Sequence, residues 1–556
     1  MRYEGGYTSY LEVLDAERSL FRQSHWRIRR HPDRLRAAES QMTYPRLIVA
    51  AATLALGACV SLPENTGRSE SQALHDTADT RLGKASQAAR QGHPGQTGLL
   101  ALPDGVDALL SRIVLAAGAD RTLDVQYYIW HGDLTGRYLA SALVGAADRG
   151  VRVRVLLDDI GANAKDEVLL ALDSHRNIQV RLFNPIASRS FRSMGSLGDF
   201  SRLNRRMHNK AFIADNQFAI LGGRNIGDEY FNASPTVGFG DLDVVAIGAV
   251  VPEVSAAFDQ FWNAPASYPI TTLLGREGDS SSLDALRAEF SSTLPAQAQN
   301  PYAQLSKARI TELMAGGIRH VSWGTAQVLY DDPDKISRPP TDASGTLMTK
   351  ARAIGLEAKQ DLLIISPYFV PGDAGVARLR EQVARGVRVT VLTNSLAATD
   401  VGAVHSGYQR YRMALLEAGV QLYEFKPGER SQQAPKQHGI HASRASLHAK
   451  TFVFDRRSVF IGSLNLDPRS IELNTEIGLL CESPELAAGI ASGLERNLNG
   501  IAWRLQRVVS ENGSERLVWI DNADGKVREY HSEPGVSALR KFGVWFLGLL
   551  PIESQL

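Results

Sequence analysis

One short segment that carries histidine and lysine occurs twice in this chain. The first copy runs from Met207 to Asp215 (MHNKAFIAD) and the second from Leu447 to Asp455 (LHAKTFVFD), so its His, Lys and Asp recur 240 positions later. A short turn follows both copies at the same offset. It contains Gly222, Gly223 and Asn225 after the first copy and Gly462, Ser463 and Asn465 after the second. Two copies of this pattern indicate two related halves that build one site.

The repeated segment predicts a binding site for a tetrahedral anion. Alternate side chains of a β-strand share a face, so His208 points the same way as Lys210, and His448 the same way as Lys450. Two such strands that face each other supply two imidazoles and two ammonium groups to one pocket. The asparagines, with the glycine and serine residues of the turns before them, are predicted to bind the non-bridging phosphate oxygens.

Paired histidines of this kind suit substitution at phosphorus. A neutral imidazole attacks phosphorus and a protonated one donates to the leaving oxygen, which gives a phosphohistidine that a hydroxyl group or water resolves. The lysines stabilise the charge on the phosphate oxygens, so neither a metal nor another cofactor is predicted. Because both halves carry the same residue types, the spacing leaves open which histidine is the nucleophile.

A nucleophilic histidine needs a carboxylate at its other ring nitrogen. Glu476 follows His448 by 28 residues, and Asp243 precedes a short apolar strand of the first half, so both are predicted to orient a histidine. Asp215 and Asp455 complete the predicted catalytic set. They stand where each strand turns, and we expect them to fix the turn or a lysine rather than contact substrate.

Strands and helices alternate around both copies. Strands are predicted at 122–130, 151–157, 362–369 and 387–392, and helices at 106–117, 139–147, 348–358 and 377–384. This alternation predicts an α/β fold with two duplicated domains, related by a pseudo-twofold axis, and an active site at their interface. The predicted domains are 99–265 and 346–500, with 266–345 as the connecting segment.

The C-terminal residues 501–556 are predicted to form a hairpin and a helix. The helix ends in the apolar run WFLGLL, close to Arg540 and Lys541. We expect this apolar tail to pack against the domain, and contact with a membrane interface is the alternative.

The paired His-x-Lys-x4-Asp segments and their glycine turns resemble the phospholipase D superfamily, and more closely the bacterial cardiolipin synthases of the C type. The resemblance runs along 123–130, 203–231, 408–424 and 447–477. It implies phospholipid partners: phosphatidyl groups are joined to phosphatidylglycerol, and phosphatidylethanolamine is the donor. It also implies a nucleophilic role for His208 and a general-acid role for His448. The usual Gly-Ser turn of the superfamily is Gly-Gly in the first half, which removes one hydroxyl but keeps the backbone donors.

The first 59 residues carry two further resemblances. Arg2 to Phe21 resembles a stretch near the C-terminal end of TolC-like outer-membrane efflux lipoproteins, so 1–41 are predicted to be a non-native extension ahead of Met42, and an amphipathic helix of the protein itself is the alternative. Residues 42–59 resemble a lipoprotein signal peptide, with a twelve-residue apolar run that closes on Leu-Gly-Ala-Cys. That resemblance implies cleavage before Cys59 and diacylation of its thiol. A short buried helix with an incidental cysteine is the alternative.

The predicted location is therefore the periplasmic face of a membrane. Val60, rather than aspartate, follows the cysteine, which favours passage to the outer membrane. Residues 60–98 are rich in Ser, Thr, Gln and Gly and predict a flexible tether to this lipid anchor.

Composition narrows the function classes. The net charge of +1 gives no reason to expect nucleic acid as a partner, and two cysteines predict no disulfide framework. A phospholipid transferase is the favoured function. The alternatives are a hydrolase of the same superfamily, either phospholipase or nuclease, and a non-catalytic lipoprotein that binds anionic lipid. Two complete motifs argue against the last alternative.

Overall fold

The computed structural model describes residues 61–162, 166–189, 199–296, 304, 321–427, 444–511, 513–523 and 525–556. The predicted extension, the signal peptide and Cys59 lie outside these residues. The chain divides into two compact units. One comprises Met1–Glu64 and Ile186–Asn204, and its described part includes the short helix Phe200–Leu203. The other comprises Asn65–Pro185 and Arg205–Leu556 and contains both repeated segments.

The strands of the larger unit are numbered here in chain order. They are β1 (Thr97–Leu102), β2 (Thr122–Tyr127), β3 (Arg152–Asp158), β4 (Ile178–Phe183), β5 (Ala211–Ala214), β6 (Phe218–Gly222), β7 (Val237–Gly240), β8 (Asp243–Gly248), β9 (Ser267–Pro269), β10 (Ser322–Tyr330), β11 (Asp361–Ile365), β12 (Arg388–Asn394), β13 (Gln421–Phe425), β14 (Arg444–Leu447), β15 (Thr451–Phe454), β16 (Ser458–Gly462), β17 (Ile477–Glu482), β18 (Ala502–Val509), β19 (Glu515–Asp521) and β20 (Arg528–Tyr530).

The α-helices of this unit connect and cover the strands. They are Arg81–Ala89, Gly105–Gly118, Leu134–Asp148, Asp166–Asp173, Val251–Trp262, Ile270–Leu274, Ser280–Ala296, Leu347–Ala353, Gly372–Ala384, Gly402–Tyr408, Arg412–Glu417, Pro484–Ile501 and Ala538–Gly548. Short turns of other helix types occupy Pro333–Ser337, Gln409–Tyr411, Arg469–Leu473 and Glu553–Gln555. Among the described residues, no helix combines the length and the apolar character needed to span a membrane.

Eighteen of the strands in the described residues join into one sheet whose two halves repeat the same order. From one edge the order is β9-β4-β3-β2-β5-β6-β8-β1, and from the other edge it is β20-β19-β18-β13-β12-β11-β15-β16-β17-β10. Each half thus has three parallel strands followed by three antiparallel ones. β1 and β10 pair in the middle and join the halves. The predicted α/β fold with duplicated domains is confirmed.

Alternate residues of the central strands supply two hydrophobic cores. In β8, Val245 and Ile247 belong to the first core, whereas Val244 and Ala246 belong to the second. The second core also contains residues of the other half, among them Ile461 of β16, and the helices that follow β8 and β17 in the chain. Each fully buried aliphatic side chain contributes about 1.5–3 kcal/mol, so this shared core holds the halves together.

Residues 65–98 pack against the sheet, so the prediction of a flexible tether is wrong for this stretch. The Asn65 side chain donates to the carbonyl of Ser267 over 2.9 Å, and the backbone N–H of Ala73 donates to Asp259 over 2.8 Å. Strand β1 then enters the middle of the sheet. The polar composition indicated a solvated chain because it does not reveal that these polar groups pair with the domain.

The C-terminal hairpin is present, since β19 and β20 pair antiparallel with Trp519 opposite Tyr530. The helix Ala538–Gly548 follows it. Most of this helix does not pack against the domain as expected. Its sequence is largely apolar, yet Val544 is its one fully buried side chain.

Candidate active site

Backbone contacts across the two halves fix the position of both histidines. The N–H of His208 donates to the carbonyl of Thr475 over 2.9 Å, and the N–H of His448 donates to the carbonyl of Gly240 over 2.8 Å. The second contact continues the parallel pairing of β7 with β14, in which Gly240 lies opposite Leu447. Each histidine is therefore held by the half that does not contain it.

The residue after each of those carbonyls contacts the histidine ring. Nδ1 of His208 lies 2.9 Å from a carboxylate oxygen of Glu476, and Nδ1 of His448 lies 2.6 Å from one of Asp241. Because Nδ1–H donates to the carboxylate, the lone pair of each neutral ring is at Nε2. Each half thus supplies the carboxylate that orients the histidine of the other half, and both imidazoles are oriented in the same way.

The prediction that Asp243 orients a histidine is wrong. Its buried carboxylate lies 2.8 Å from Arg112 and 3.5 Å from Arg224, and Asp241 contacts His448 instead. Asp243 is the first residue of β8, so the strand fixes the direction of its side chain, which pairs with Arg112. Asp241 precedes the strand and is free of this constraint. Sequence reasoning passed over Asp241 because the two aspartates are only two residues apart.

Glu476 orients a histidine, as predicted, but this histidine is His208 of the opposite half. The hydroxyls of Ser463 and Ser470 both donate to its carboxylate, and its own N–H donates to Asp331. Ser463, predicted to bind phosphate, therefore has its hydroxyl directed at Glu476. No motif in the sequence indicated Ser470 or Asp331.

The Gly-Gly turn of the first half has a structural reason. A Cβ atom at Gly223 would lie 2.2 Å from an oxygen of Asp241, and one at Gly222 would lie 2.1 Å from an oxygen of Asp243. Both distances are far below van der Waals contact, so side chains are excluded at both positions. In the second half Ser463 fits because Glu476 reaches the histidine from further away along its longer side chain.

The two lysines are buried beside the histidines. Nζ of Lys210 donates to the carbonyl of His208 over 2.6 Å and lies 5.5 Å from the ring centre of Tyr128. Nζ of Lys450 donates to the carbonyl of His448 over 2.5 Å. Burial, opposed by Glu476, lowers the pKa of Lys210 to about 7, and burial, opposed by Asp241, lowers the pKa of Lys450 to about 8. Ammonium groups that are this poorly solvated favour an anionic ligand.

Both imidazoles are held in the neutral form. Burial lowers the pKa of His208 to about 4 although Glu476 opposes it, and burial together with Lys450 lowers the pKa of His448. Burial alone raises the pKa of Asp241, but His448 and Lys450 outweigh it and bring that pKa to about 2. Asp241 therefore keeps its negative charge beside the His448 ring.

Aromatic rings close the sides of the site. Tyr128 packs edge-on against His208 with ring centres 5.0 Å apart, and Tyr230 packs edge-on against His448 at 5.2 Å. Phe239 of β7 lies 5.2 Å from the same ring of His448. These rings exclude water from the imidazoles, which accounts for part of their low pKa values.

The asparagines differ in their surroundings. Oδ1 of Asn225 accepts the N–H of Ile129 at 3.2 Å, and its Nδ2 donates to the Tyr230 hydroxyl at 3.1 Å. Oδ1 of Asn465 is buried and has no hydrogen-bond partner within the part of the chain that the structure describes. Of the two predicted phosphate-binding amides, Asn225 is thus engaged within the protein.

Asp215 and Asp455 lie outside the site, so their inclusion in the catalytic set is wrong. Asp215 accepts three backbone N–H groups at the start of β2, from Asp120, Arg121 and Thr122. Asp455 does the same at the start of β11, for Lys359, Gln360 and Asp361. Both aspartates fix turns, which is the role that their position at the strand ends indicated.

One group of side chains elsewhere has the composition of a metal site. Ligand atoms of His131, Asp133 and Glu229 lie within 4.8 Å of one another. Asp133 already accepts the N–H groups of Gly136 and Asp228, which caps the helix Leu134–Asp148. We therefore assign Asp133 to helix capping, while His131 contacts Glu229 at 3.2 Å.

Comparison with known proteins places both halves in one family. Residues 113–262 and 355–498 match the family described as cardiolipin synthase, PLD-like domain. The chain belongs to this family. The chain is also 42% identical to cardiolipin synthase C of Escherichia coli (strain K12) over 475 residues, which are 85% of this chain and 99% of that protein.

Two more distant similarities accompany that match. Cardiolipin synthase A of Pseudomonas syringae pv. syringae (strain B728a) is 28% identical to this chain, and the aligned region includes 68% of this chain and 64% of that protein. The crystal structure of phosphatidylserine synthase from Haemophilus influenzae Rd KW20 has a TM-score of 0.48 at 15% identity, covering 76% of this chain and 92% of its own. His208 and His448 each lie inside one of the two ranges that match the cardiolipin synthase family. The predicted family membership is confirmed.

Proposed function

We propose that this family member makes cardiolipin by transferring a phosphatidyl group between phospholipids, with a phosphohistidine formed at His208. The observation that carries the proposal is the reciprocal contact of His208 with Glu476 and of His448 with Asp241. Each ring is oriented so that Nε2 is its reactive nitrogen. The lysines beside the rings supply positive charge to the phosphate oxygens.

In the first step, Nε2 of His208 attacks the phosphorus of phosphatidylethanolamine. A P–N bond forms, the bond from phosphorus to the ethanolamine oxygen breaks, and protonated His448 gives its proton to that oxygen. An anionic phosphodiester close to His448 favours the protonated ring, so the proton is taken up together with the substrate.

In the second step, neutral His448 removes the proton from a terminal hydroxyl of phosphatidylglycerol. The alkoxide attacks phosphorus, the P–N bond breaks, and cardiolipin leaves while His208 returns to its neutral form. The pKa of about 4 keeps the His208 ring unprotonated and able to attack, and the resemblance to the superfamily is the reason for choosing His208 over His448 as the nucleophile. The negative charge of Asp241 supports a protonated state for His448.

The experiment that tests the proposal uses detergent-solubilised protein with labelled phosphatidylethanolamine and unlabelled phosphatidylglycerol. We expect label in cardiolipin, with release of ethanolamine. Label in phosphatidic acid alone would replace transfer with hydrolysis, which needs only water in place of the acceptor hydroxyl. If these two lipids do not react together but another phospholipid donates its phosphatidyl group, the assignment of phosphatidylethanolamine as the donor is overturned.

We propose further that Cys59 carries a lipid anchor at the periplasmic face of the outer membrane. The signal-peptide pattern of residues 42–59 supports this placement. Labelled palmitate is expected to enter the full chain but not the Cys59→Ser variant. Equal incorporation of palmitate into both proteins would contradict a lipid anchor at Cys59.

Gly223→Ser is expected to reduce kcat by roughly 10- to 100-fold. The new Cβ lies within 2.2 Å of the Asp241 carboxylate, which must shift and take the His448 ring with it. The matched variant Ser463→Gly removes a hydroxyl without a clash, so its loss of kcat should be smaller. Steady-state kinetics with circular dichroism of each variant provides the measurement, and full activity of Gly223→Ser would contradict the close approach.

The value of kcat/KM is expected to fall as the pH rises above about 7, by about tenfold per pH unit up to about 8 and by about a hundredfold per unit above it. The lowered pKa values of Lys210 and Lys450 are the cause, because each lysine loses its charge above its pKa, and kcat/KM reports the free enzyme. Phosphatidylethanolamine is the donor and phosphatidylglycerol the acceptor in this assay, and neither phosphodiester titrates in this pH range. A flat alkaline profile would contradict the buried state of the lysines.

A further inference from the structure

The helix Ala538–Gly548 and the turn after it present a continuous apolar face to solvent. Its side chains are between 52% and 81% exposed, and they are Leu539, Phe542, Trp545, Phe546 and Leu549. We call these five residues the apolar face. Exposed hydrophobic side chains that cluster in this way mark contact surfaces, whereas isolated ones are common on any protein.

Within the segment that carries the apolar face, the charge has one sign, and the glutamates that border it, Glu533 and Glu553, are paired with Arg412 and Arg410. From 534 to 552 the sequence contains Arg540 and Lys541 but no aspartate or glutamate. The Arg540 guanidinium donates to the carbonyl of Thr399 over 2.8 Å, and Nζ of Lys541 donates to the hydroxyl of Ser532 over 3.1 Å. Both cations therefore stay next to the apolar side chains. Aromatic and aliphatic residues flanked by cations are the composition of helices that lie in the interfacial layer of an anionic bilayer.

The apolar face is connected to the catalytic histidine of the second half. Thr399, which binds Arg540, is followed by Asp400, whose charge acts on Lys450. The same loop begins after Asn394 at the end of β12, and the Asn394 side chain both donates to and accepts from the backbone of Leu447, at 2.9 Å each. Leu447 directly precedes His448. The helix thus adjoins the loop that borders the site.

We propose that the apolar face docks into the interfacial layer of a phospholipid bilayer and brings the active site to the lipid headgroups. The occupant is a lipid surface rather than a protein because the flanking charge complements anionic headgroups and because the family acts on lipids. The proposal rests on the lipid substrate of the proposed function, but it is independent of the anchor at Cys59. It assigns a second, noncovalent membrane contact to the C-terminal helix.

A fluorophore that responds to polarity tests the docking directly. It is attached to Phe546→Cys in the full chain that also carries Cys59→Ser, and the remaining Cys481 is fully buried and does not react. The matched control carries the fluorophore at Asp284→Cys, whose side chain is 72% exposed on the helix Ser280–Ala296. Vesicles contain phosphatidylethanolamine and phosphatidylglycerol.

We expect the emission at position 546 to shift to shorter wavelength on addition of vesicles and to be quenched by quenchers attached to the acyl chains. Position 284 should show neither change. An unchanged signal at 546, or equal changes at both positions, would overturn the proposal. A shift at 546 that grows with protein concentration in the absence of vesicles would show that a second copy covers the apolar face, and this also overturns it.

A second variant separates docking from chemistry. Phe542→Ser combined with Trp545→Ser removes two exposed aromatic rings, so the fold should not depend on them. We expect at least a tenfold loss of turnover on vesicles and unchanged turnover on short-chain lipids dissolved as monomers. Equal loss on both substrates would contradict docking. If neither substrate reacts with the unmodified protein, the proposed function fails, while the fluorescence result still decides the docking.

Discussion

His208→Ala and His448→Ala will each lower the rate of phosphatidyl transfer by at least about 1,000-fold. In the proposed mechanism, His208 supplies the atom that bonds to phosphorus, and His448 donates a proton to the leaving oxygen and removes one from the attacking oxygen. The backbone contacts of both residues run through their N–H groups to Thr475 and Gly240, and alanine keeps these groups. The loss should therefore appear in kcat without a loss of folded protein.

The control for these variants is His75→Ala, the same change at an exposed histidine. Its turnover should equal that of the unmodified protein. The double variant His208→Ala, His448→Ala should be no slower than the slower single variant, because the two rings serve one reaction. Turnover above about one tenth of the normal rate in either single variant would refute the two-histidine mechanism.

Glu476→Gln and Asp241→Asn will each lower kcat by about 100- to 10,000-fold with little change in KM. An amide neither stabilises the imidazolium nor fixes the Nδ1–H tautomer of the contacting ring. The effect of Glu476→Gln should reach His208, although Glu476 lies much nearer to His448 in the sequence. NMR of ring nitrogens labelled in the histidines reports which of the two tautomers changes in each variant.

Asp243→Asn is the matched control, since it makes the same chemical change two residues from Asp241. Asp243 pairs with Arg112 and Arg224 in the core, so its loss should lower the free energy of unfolding by about 3–5 kcal/mol. The kcat of the folded fraction should stay within about tenfold of normal. A loss of kcat that matches Asp241→Asn, with unchanged stability, would return the orienting role to Asp243.

The periodicity of the sequence was sufficient to predict the fold and the proximity of each histidine to its lysine. β3 (RVRVLLD) places apolar residues at alternate positions, and β12 of the second half (RVTVLTN) repeats this pattern, so the duplicated α/β fold followed. The His-x-Lys spacing indicated that each histidine lies beside its lysine, although both pairs stand just ahead of β5 and β15 and not in a strand as predicted. These features are local in the chain, and local patterns are what a single sequence records.

The partners of the histidines are contacts between distant parts of the chain, and the sequence records them poorly. Glu476 and Asp241 reach across the halves because β7 pairs with β14 and because the backbone of His208 pairs with Thr475. Neither pairing follows from residue spacing. For the same reason the polar segment from Asn65 to Gly98 looked solvated, although its polar groups bond to the domain.

The most direct test of the central claim uses a phosphatidyl ester of p-nitrophenol, whose leaving group needs no general acid. With His448→Ala, we expect a burst of one p-nitrophenol per chain and a phosphatidyl group that stays on the peptide containing His208, because no base activates the acceptor. With His208→Ala, we expect no burst. A burst from His208→Ala with the phosphatidyl group on His448, or no covalent adduct in either variant, would contradict an active site in which His208 attacks and His448 transfers the proton.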